Sequence, residues 1–368
     1  MCEPLAGTGK PGGHPVGKGS LHEVLALVLF PALVGADGAV FPGATWEART
    51  PADVGLRASK LDELRDFAGG RGCVVRHGYM VYSWGDATAR GDVASAVKPW
   101  YAHFLFRAIE DGKIAGLDSR AAEFEPRLND LGGKNGDITW RHFATQTSCY
   151  GITEAPGTAF DYNDWQMSLF FDTLFLRVYG ATWDNADDTV LHPLLTDVLQ
   201  CEDGPTFMDF GIDNRPGRLG VSPRDFARFG LLYLHRGSWS GRRLLSEASA
   251  VMAVTSPLPN TIPRASGEAA EMIPGQRSMG SLTIPDNQCD HIGSYSFLWW
   301  TNGIDREGKR HWPDVPEDAY GAFGHGGPRA MVVIPSLDLI ISWNDANIES
   351  REAENRALGL LVQTTRVP

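Results

Sequence analysis

The spacing of apolar residues predicts the first elements of the chain. Apolar positions recur at helical intervals between 59 and 67, with polar residues between them, which predicts an amphipathic helix. Residues 73–84 form two β-rich runs around His77 and Gly78, which predicts a hairpin whose turn uses the positive φ that glycine accepts. The folded part of the chain is therefore expected to open with a helix beside a sheet.

The middle of the chain is mainly helical in its pattern. Helical spacing predicts helices over 95–112, 164–179, about 191–199 and 223–235. The first of these ends where Gly112 can adopt the left-handed cap, and Pro223 is placed to begin the last one. Residues 255–290 contain Pro, Ser and Gly throughout, which indicates a loop.

The C-terminal end returns to strand patterns. Consecutive strands are predicted at 296–301, 330–334 and 337–343, followed by a helix over 350–363. Strands at both ends of the sequence around a helical middle predict one sheet assembled from N- and C-terminal pieces. We expect a sheet lobe of about 45–95 and 240–368, with a helical lobe of about 96–239 inserted between them. A site would lie in the cleft between the lobes.

Composition narrows the class of protein. The chain has 368 residues, 43% of them hydrophobic, so it can bury one large core or two merged ones. Its net charge of −12 argues against a nucleic-acid partner, because phosphate binding needs a surplus of Lys and Arg. We therefore expect no nucleic-acid partner.

The N-terminus resembles a signal peptide. Residues 21–36 are an apolar run preceded by lysines and closed by small residues, so residues 1–36 are predicted to be a leader cleaved near Ala36. The folded domain would then be 37–368, periplasmic or secreted, without a stable membrane span. Glu23 and the long polar start leave open a disordered or surface-lying N-terminus on a cytoplasmic protein.

Cysteine content leaves two interpretations open. Cleavage would remove Cys2 and leave an even number, namely Cys73, Cys149, Cys201 and Cys289. An oxidising compartment could pair them, but four cysteines spread over a large domain equally suit four buried reduced thiols, which we favour.

One short motif combines a nucleophile with a base. Ser95-Ala-Val-Lys98 places a hydroxyl and an amine three residues apart at a helix start, so both side chains emerge on one face. A buried lysine that favours its neutral form can take the serine proton, and the helix N-terminus favours the developing oxyanion. The alternative is a capping serine and a surface lysine, but this is the single Ser-x-x-Lys of the chain and it opens a strongly apolar helix.

Two further features bear on that motif. Pro99 follows Lys98 directly, and proline is tolerated in a helix only near its first turn, so Ser95 must lie at the helix start. The chain contains no Gly-x-Ser-x-Gly, which excludes the usual α/β-hydrolase elbow.

Several landmarks around the motif resemble a known family. They are the glycine-centred hairpin, the Ser-x-x-Lys helix ending in Ile-Glu-Asp-Gly-Lys-Ile at 109–114, and the runs at 138–148, 156–162, 221–230 and 324–327. In this order they are similar to the β-lactamase-related serine hydrolases, over about residues 55–360. The resemblance implies an α/β/α sandwich of the β-lactamase and transpeptidase kind, with an antiparallel sheet and an inserted mainly helical lobe.

The resemblance also implies roles for single residues. Ser95 matches the family nucleophile, Lys98 its partner, and Tyr162 the second-motif tyrosine, a phenol that can carry a proton once a nearby ammonium lowers its pKa. The alternative for Tyr162 is an aromatic packed in the helical lobe. The family usually has Asn or Ser where this chain has Asp164, so either Asp164 pairs with Lys98 or Asn163 serves after a small shift.

The third motif of the family supplies a backbone N–H to the oxyanion, the other donor being the Ser95 amide. If His325-Gly326-Gly327 takes that place, the donor falls at Pro328, which has no N–H. If Ala322-Phe323-Gly324 takes it, His325 supplies the amide, and we favour this second frame. The His325 imidazole is a further candidate catalytic group, with a purely structural histidine as the alternative, and Gly324 and Gly326 would line the substrate pocket.

The expected activity is cleavage of an ester or amide through an acyl-enzyme. The alternatives are a penicillin-binding D,D-peptidase or β-lactamase, and a non-catalytic binding protein of the same fold. No cofactor is implied, and the histidines have no metal-ligand spacing, so a metal-free site is expected. The sequence does not indicate an oligomeric state.

Overall fold

The computed structural model describes residues 33–34, 38–210 and 215–365. Apart from residues 33 and 34, the predicted leader lies outside the described residues. Within the described part, the helices are all too short or too polar to cross a bilayer. Its four cysteines, Cys73, Cys149, Cys201 and Cys289, are all free thiols.

The described residues form strands and helices with the following bounds. The strands are β1 Leu33–Val34, β2 Val40–Phe41, β3 Arg71–Arg76, β4 Tyr79–Trp84, β5 Gly91–Asp92, β6 Thr206–Asp209, β7 Pro216–Val221, β8 Ser238–Trp239, β9 Arg242–Arg243, β10 Trp300–Thr301, β11 Tyr320–Gly324, β12 Arg329–Ile334 and β13 Leu339–Asn344. The α-helices are α1 Ala58–Ala68, α2 Lys98–Glu110, α3 Arg127–Asp130, α4 Trp140–Ala144, α5 Asp164–Phe171, α6 Pro223–Leu234, α7 Glu247–Ala253 and α8 Arg351–Val362. Short 3₁₀ turns occupy Pro51–Val54, Ala94–Val97, Ala121–Glu123, Gly133–Asp137 and Pro335–Leu337, and π-helices occupy Asp172–Val178 and Asp187–Thr196.

The main sheet joins the two ends of the sequence, as predicted. Its strand order is β10-β11-β12-β13-β3-β4, and every neighbouring pair is antiparallel. The β3–β4 hairpin turns at His77 and Gly78, whose φ angles are 54° and 78°. A Cβ on Gly78 would lie 2.1 Å from the Val40 carbonyl oxygen, so this position also needs glycine for space.

Helices cover both faces of this sheet. On one face, α1 and α8 pack with Val74, Val332 and Ile341 in one apolar cluster. On the other face, α2 and α6 pack with Val75 and Ile340 in a larger one. Because successive side chains point to opposite faces of a strand, Val74 packs into the first cluster and Val75 into the second. The architecture is the expected α/β/α sandwich.

The helical predictions hold with two local differences. The helix predicted from Ser95 begins as the 3₁₀ turn Ala94–Val97, and α2 proper starts at Lys98, so Pro99 lies in the first turn where its missing N–H costs nothing. The helix predicted over 164–179 widens from α to π at Asp172, and the one predicted around 191–199 is the π-helix Asp187–Thr196. Pro193 lies inside that π-helix, where it cannot donate an α-helical hydrogen bond.

Two strand predictions were incomplete. The strand predicted at 296–301 shrinks to Trp300–Thr301, because Leu298 has a φ of 64° and residues 296–299 form a tight turn. A small antiparallel sheet of order β5-β7-β6 was not predicted, and β6 and β7 lie within the region predicted as a mainly helical lobe. Its strands are short, so their apolar spacing carries little signal in the sequence.

Candidate active site

Ser95 lies in a tight turn between the small sheet and the long buried helix. Asp92 accepts a hydrogen bond from the Ala94 N–H at 2.7 Å, and the Ala96 N–H donates to the Val93 carbonyl at 3.0 Å. Ala94 has a φ of 49°, a left-handed conformation that is strained for a residue with a Cβ. The turn therefore presents Ser95 at the N-terminal approach to α2.

Lys98 is in direct contact with this serine. Its Nζ donates a hydrogen bond to Ser95 Oγ at 2.8 Å, and only 4% of the side chain is exposed. Burial lowers the pKa of Lys98 to about 8, with the charge of Asp164 opposing the shift and that of Arg218 adding to it. About a tenth of the amine is therefore neutral at pH 7, and about half at pH 8.

Tyr162 lies over the lysine. The Lys98 Nζ is 4.6 Å from the centre of the Tyr162 ring, and the ring is 95% buried. Burial raises the pKa of the phenol well above its usual value, the nearby Cys289 thiol adds to the rise, and the Ser95 hydroxyl acts in the opposite direction. The expected lowering of this pKa was wrong, because burial is the largest influence on the phenol and raises its pKa, so the phenol is a neutral donor.

The two residues that follow Tyr162 have different surroundings and different hydrogen-bond partners. Asn163 is buried and caps α5, accepting from the Gln166 N–H at 2.9 Å and donating to the Asp161 carboxylate at 2.6 Å. Asp164 instead borders the same cavity as Lys98 and accepts hydrogen bonds from Ser281 and Gln288, each at 3.1 Å. Of the two alternatives, it is Asp164 whose charge acts on Lys98.

The end of β11 closes the site from the opposite side. A Cβ on Gly324 would lie 2.2 Å from the Val93 carbonyl oxygen, so only glycine lets the strand approach the serine turn this closely. The strand ends at Gly324. His325, Gly326 and Gly327, the residues of the less favoured frame, form the following turn, in which the Gly327 N–H donates to the Gly324 carbonyl at 3.2 Å. Among the described residues, no hydrogen bond engages the N–H of Ser95 or of His325.

The His325 ring lies between two guanidinium groups. Its Nδ1 faces Arg329, and its Nε2 is 3.4 Å from Arg218 Nη2. Burial and these two cations lower the pKa of His325, so the imidazole is neutral at pH 7. Arg218 is held in turn by Asp92 at 2.6 Å.

Ser95 borders two cavities. The main cavity has a volume of about 430 Å³ and is lined by Ser95, Tyr162, Trp300, Phe323 and His325, with Gly326 at its edge. The side cavity has about 150 Å³ and is lined by Ser95, Lys98, Asp164 and Arg218 among others. Two of the residues proposed from the sequence, Asn163 and Gly324, line neither cavity. Gly324 instead packs closely against the serine turn.

No cluster suited to a metal ion occurs within the described residues. The side chains around Ser95 are an amine, a phenol, an imidazole and guanidiniums, together with the carboxylate of Asp164. Their arrangement can remove a proton from a hydroxyl and hold negative charge without a bound ion.

Several solved structures superpose on this chain over most of its length. A protein named as a 6-aminohexanoate-dimer hydrolase from Bacillus anthracis superposes with a TM-score of 0.59 at 14% identity, over 91% of this chain and 90% of that one. A β-lactamase from Mycobacterium bovis gives 0.55 at 18% identity, over 83% of this chain and 100% of that one. A penicillin-binding protein homologue from Caulobacter crescentus gives 0.56 at 14% identity, over 83% and 97%.

This chain has the β-lactamase and penicillin-binding-protein fold. Neither a scan of protein-family models nor a search of curated proteins gives a match. The likeness to the three proteins above is therefore a likeness of fold.

Several residues of the candidate site carried no signal in the sequence. Arg218 and Arg329 flank His325 although no motif singles them out. The segment predicted only as a loop supplies Asn287 and Gln288, which hold the Tyr162 backbone through hydrogen bonds of 3.1 and 2.9 Å. Long-range contacts of this kind depend on how the loop folds back, which apolar spacing does not encode.

Proposed function

We propose that this chain is a serine hydrolase that cleaves an ester or amide bond of a small molecule or peptide through an acyl-enzyme on Ser95. The observation that carries the proposal is the buried Lys98 amine, 2.8 Å from the Ser95 hydroxyl, with a pKa lowered to about 8. A neutral amine in this position can accept the serine proton, which is the step that an isolated serine cannot achieve.

The first half of the reaction forms the acyl-enzyme. Neutral Lys98 takes the proton of Ser95, and the Oγ attacks the substrate carbonyl carbon to give a tetrahedral oxyanion. The N–H groups of Ser95 and His325 are the proposed donors to that oxyanion, in keeping with the close packing of Gly324 on the serine turn. The bond to the leaving group then breaks, and Tyr162 hands the leaving atom a proton that the Lys98 ammonium replaces.

The second half releases the acyl group. Water attacks the ester carbonyl of Ser95, losing its proton to the Lys98 and Tyr162 pair, and the serine leaves with a proton restored to its Oγ. The products are a carboxylic acid and the free enzyme, and no co-reactant besides water is consumed. Asp164 tunes this cycle by stabilising the Lys98 ammonium that is present while each tetrahedral intermediate exists.

A burst assay with p-nitrophenyl acetate tests the proposal. We expect a burst of p-nitrophenolate equal to the enzyme concentration, and its loss in both Ser95→Ala and Lys98→Ala. The exposed Lys113 lies just beyond α2, so Lys113→Ala serves as the matched control and keeps the burst. An undiminished burst in Ser95→Ala would refute the mechanism.

Tyr162→Phe separates the role of the phenol from that of the amine. p-Nitrophenolate departs as an anion and needs no proton, whereas an amide nitrogen must be protonated to leave. We expect the variant to lose amide cleavage far more than ester acylation. Equal losses on both substrates would assign Tyr162 a structural role.

Labelling distinguishes the remaining alternatives. Failure of a fluorophosphonate to modify Ser95 would favour a non-catalytic binding protein of this fold. Modification by benzylpenicillin, with turnover of D-alanyl amides or of a cephalosporin, would indicate a D,D-peptidase or a β-lactamase respectively.

A further inference from the structure

The main cavity extends away from Ser95 along a row of aromatic rings. The Tyr162 ring, next to Lys98, lies 6.2 Å from the Trp300 ring. Trp300 stacks in parallel on His311, with ring centres 5.8 Å apart and an interplanar angle of 9°. Trp300 and His311 both line the cavity, so a substrate group leading away from the nucleophile would pass flat apolar surfaces.

The row ends at a buried carboxylate. His311 lies 4.5 Å from Trp312, whose Nε1 donates to Glu354 Oε2 at 3.2 Å. Glu354 lines the cavity and is only 7% exposed. Burial raises the pKa of Glu354 to about 7, and the hydrogen bond from Trp312 opposes the rise. Among the described residues, no ion pair within 4 Å is formed by this carboxylate.

A second polar group at this end is also incomplete. His311 is 95% buried and lines the same cavity, and its Nδ1 has no hydrogen-bond partner among the described residues. Burial lowers the pKa of His311 to about 3, so the imidazole stays neutral and cannot neutralise Glu354. Buried polar groups without partners are uncommon in proteins, so this end of the cavity combines a carboxylate without an ion-pair partner and an imidazole whose hydrogen bonding is incomplete.

The other charged groups nearby do not make this end of the cavity positive. Arg351 and Glu349 line the cavity at its more exposed side, and the charge of Arg351 lowers the pKa of Glu354 without overcoming its burial. Asp290 is already paired with Arg306 at 2.6 Å. Glu352 faces solvent and raises the pKa of Glu354 further. The positive end of α8 favours an ionised Glu354, but it provides no point charge to pair with it.

We propose that the end of the cavity formed by His311, Trp312 and Glu354 binds a positively charged group at the far end of the substrate's acyl chain. A cation would pair with the Glu354 carboxylate and lie against aromatic faces, which attract cations. An anionic group would be repelled, and a plain alkyl end would leave the carboxylate unpaired. This inference rests on the proposed function, and it assigns the acyl donor to the class of apolar chains that end in a cationic nitrogen.

Two esters of equal shape test the proposal. The probes are the p-nitrophenyl esters of 6-(trimethylammonio)hexanoate and of 7,7-dimethyloctanoate, which differ in a quaternary nitrogen replacing a quaternary carbon. We expect kcat/KM to be about tenfold higher for the charged ester in the unmodified protein. In Glu354→Gln the ratio should fall to about two or less. Glu352→Gln removes an exposed charge that raises the pKa of Glu354, so in this control the ratio should stay equal or become higher.

The unmodified protein provides a second readout that does not depend on a variant folding. The charge of both probes is independent of pH, and titration of Lys98 affects both esters alike, so it cancels in the ratio. As Glu354 ionises, the ratio should rise between pH 6 and pH 8. A ratio near one at every pH, or a ratio that Glu354→Gln leaves intact, overturns the inference even when the p-nitrophenyl acetate burst is present. Absence of that burst would instead refute the proposed function.

Discussion

Replacing Lys98 by methionine should make the protein more stable at neutral pH. Methionine has a similar length and no charge, so it fills the same buried space without an ammonium. The wild-type side chain is 4% exposed and lies between Ser95 and the Tyr162 ring. The folded protein therefore keeps an ionisable amine at a place where water cannot solvate its charge.

The size of the effect follows from the pKa. In the folded protein the pKa of Lys98 falls from 10.5 to about 8, and the unfolded chain regains the ordinary value. At pH 7 this difference costs the folded state about 3 kcal/mol. Loss of the hydrogen bond to Ser95 takes back about 1 kcal/mol, leaving a net gain of about 2 kcal/mol for the variant. For a chain of this length that gain raises Tm by about 3 °C.

The pH dependence identifies the cause. Between pH 8 and pH 10.5 the unfolded chain binds more protons at this lysine than the folded chain, so wild-type stability rises with pH in that window. The advantage of Lys98→Met should accordingly be constant below pH 8 and vanish by about pH 10.5. Thermal scans across this range, with Lys113→Met as the exposed control, measure it. A variant less stable than wild type at pH 7, or a gain that is the same at pH 10.5, would refute the reasoning.

Three further outcomes follow from the same geometry. The acylation rate should rise with pH to a plateau with an apparent pKa near 8, because Lys98 must be neutral to act, and a flat profile from pH 6 to 9 would contradict this. Gly324→Ala should reduce the p-nitrophenyl acetate burst rate by about tenfold or more, since a Cβ would lie 2.2 Å from the Val93 carbonyl oxygen, whereas Gly116→Ala, with open space around it, should not. Iodoacetamide at pH 8 should modify Cys289 only slowly before unfolding and readily afterwards, as counted by mass spectrometry, because burial raises the pKa of this thiol to about 12.

Much of the fold could be predicted because its long elements carry a regular apolar pattern. The helix over 223–235 and the last helix appear within a residue or two of their predicted bounds, as α6 and α8. The hairpin turn at Gly78 followed from a single residue that tolerates positive φ. The small sheet was missed because β5 and β6 are only two and four residues long and β7 contains one proline and two glycines. The turn at Leu298 was missed because an isolated left-handed residue leaves no periodic trace.

Some residues of the candidate site could likewise be predicted from the sequence and others could not. Ser95 and Lys98 could be found because one helical turn forces them together, so their spacing in sequence is their spacing in space. Arg218 and Glu354 could not, since they reach the cavities through tertiary packing of distant segments. The predicted direction of the Tyr162 pKa shift was also wrong, because motif spacing indicates a neighbouring cation but not the depth of burial.

The pairing of β3 with β13 has a consequence for synthesis of the protein. These neighbours, such as Val74 and Ile341, are separated by most of the chain, and the serine turn is held against β11, which is also made late. A ribosome must therefore release nearly all of the polypeptide before Ser95 meets the end of β11 and His325, whose N–H is one of the two proposed oxyanion donors. Until then Ser95 lacks the surroundings that would let it attack other molecules, so an unfinished chain remains chemically inert.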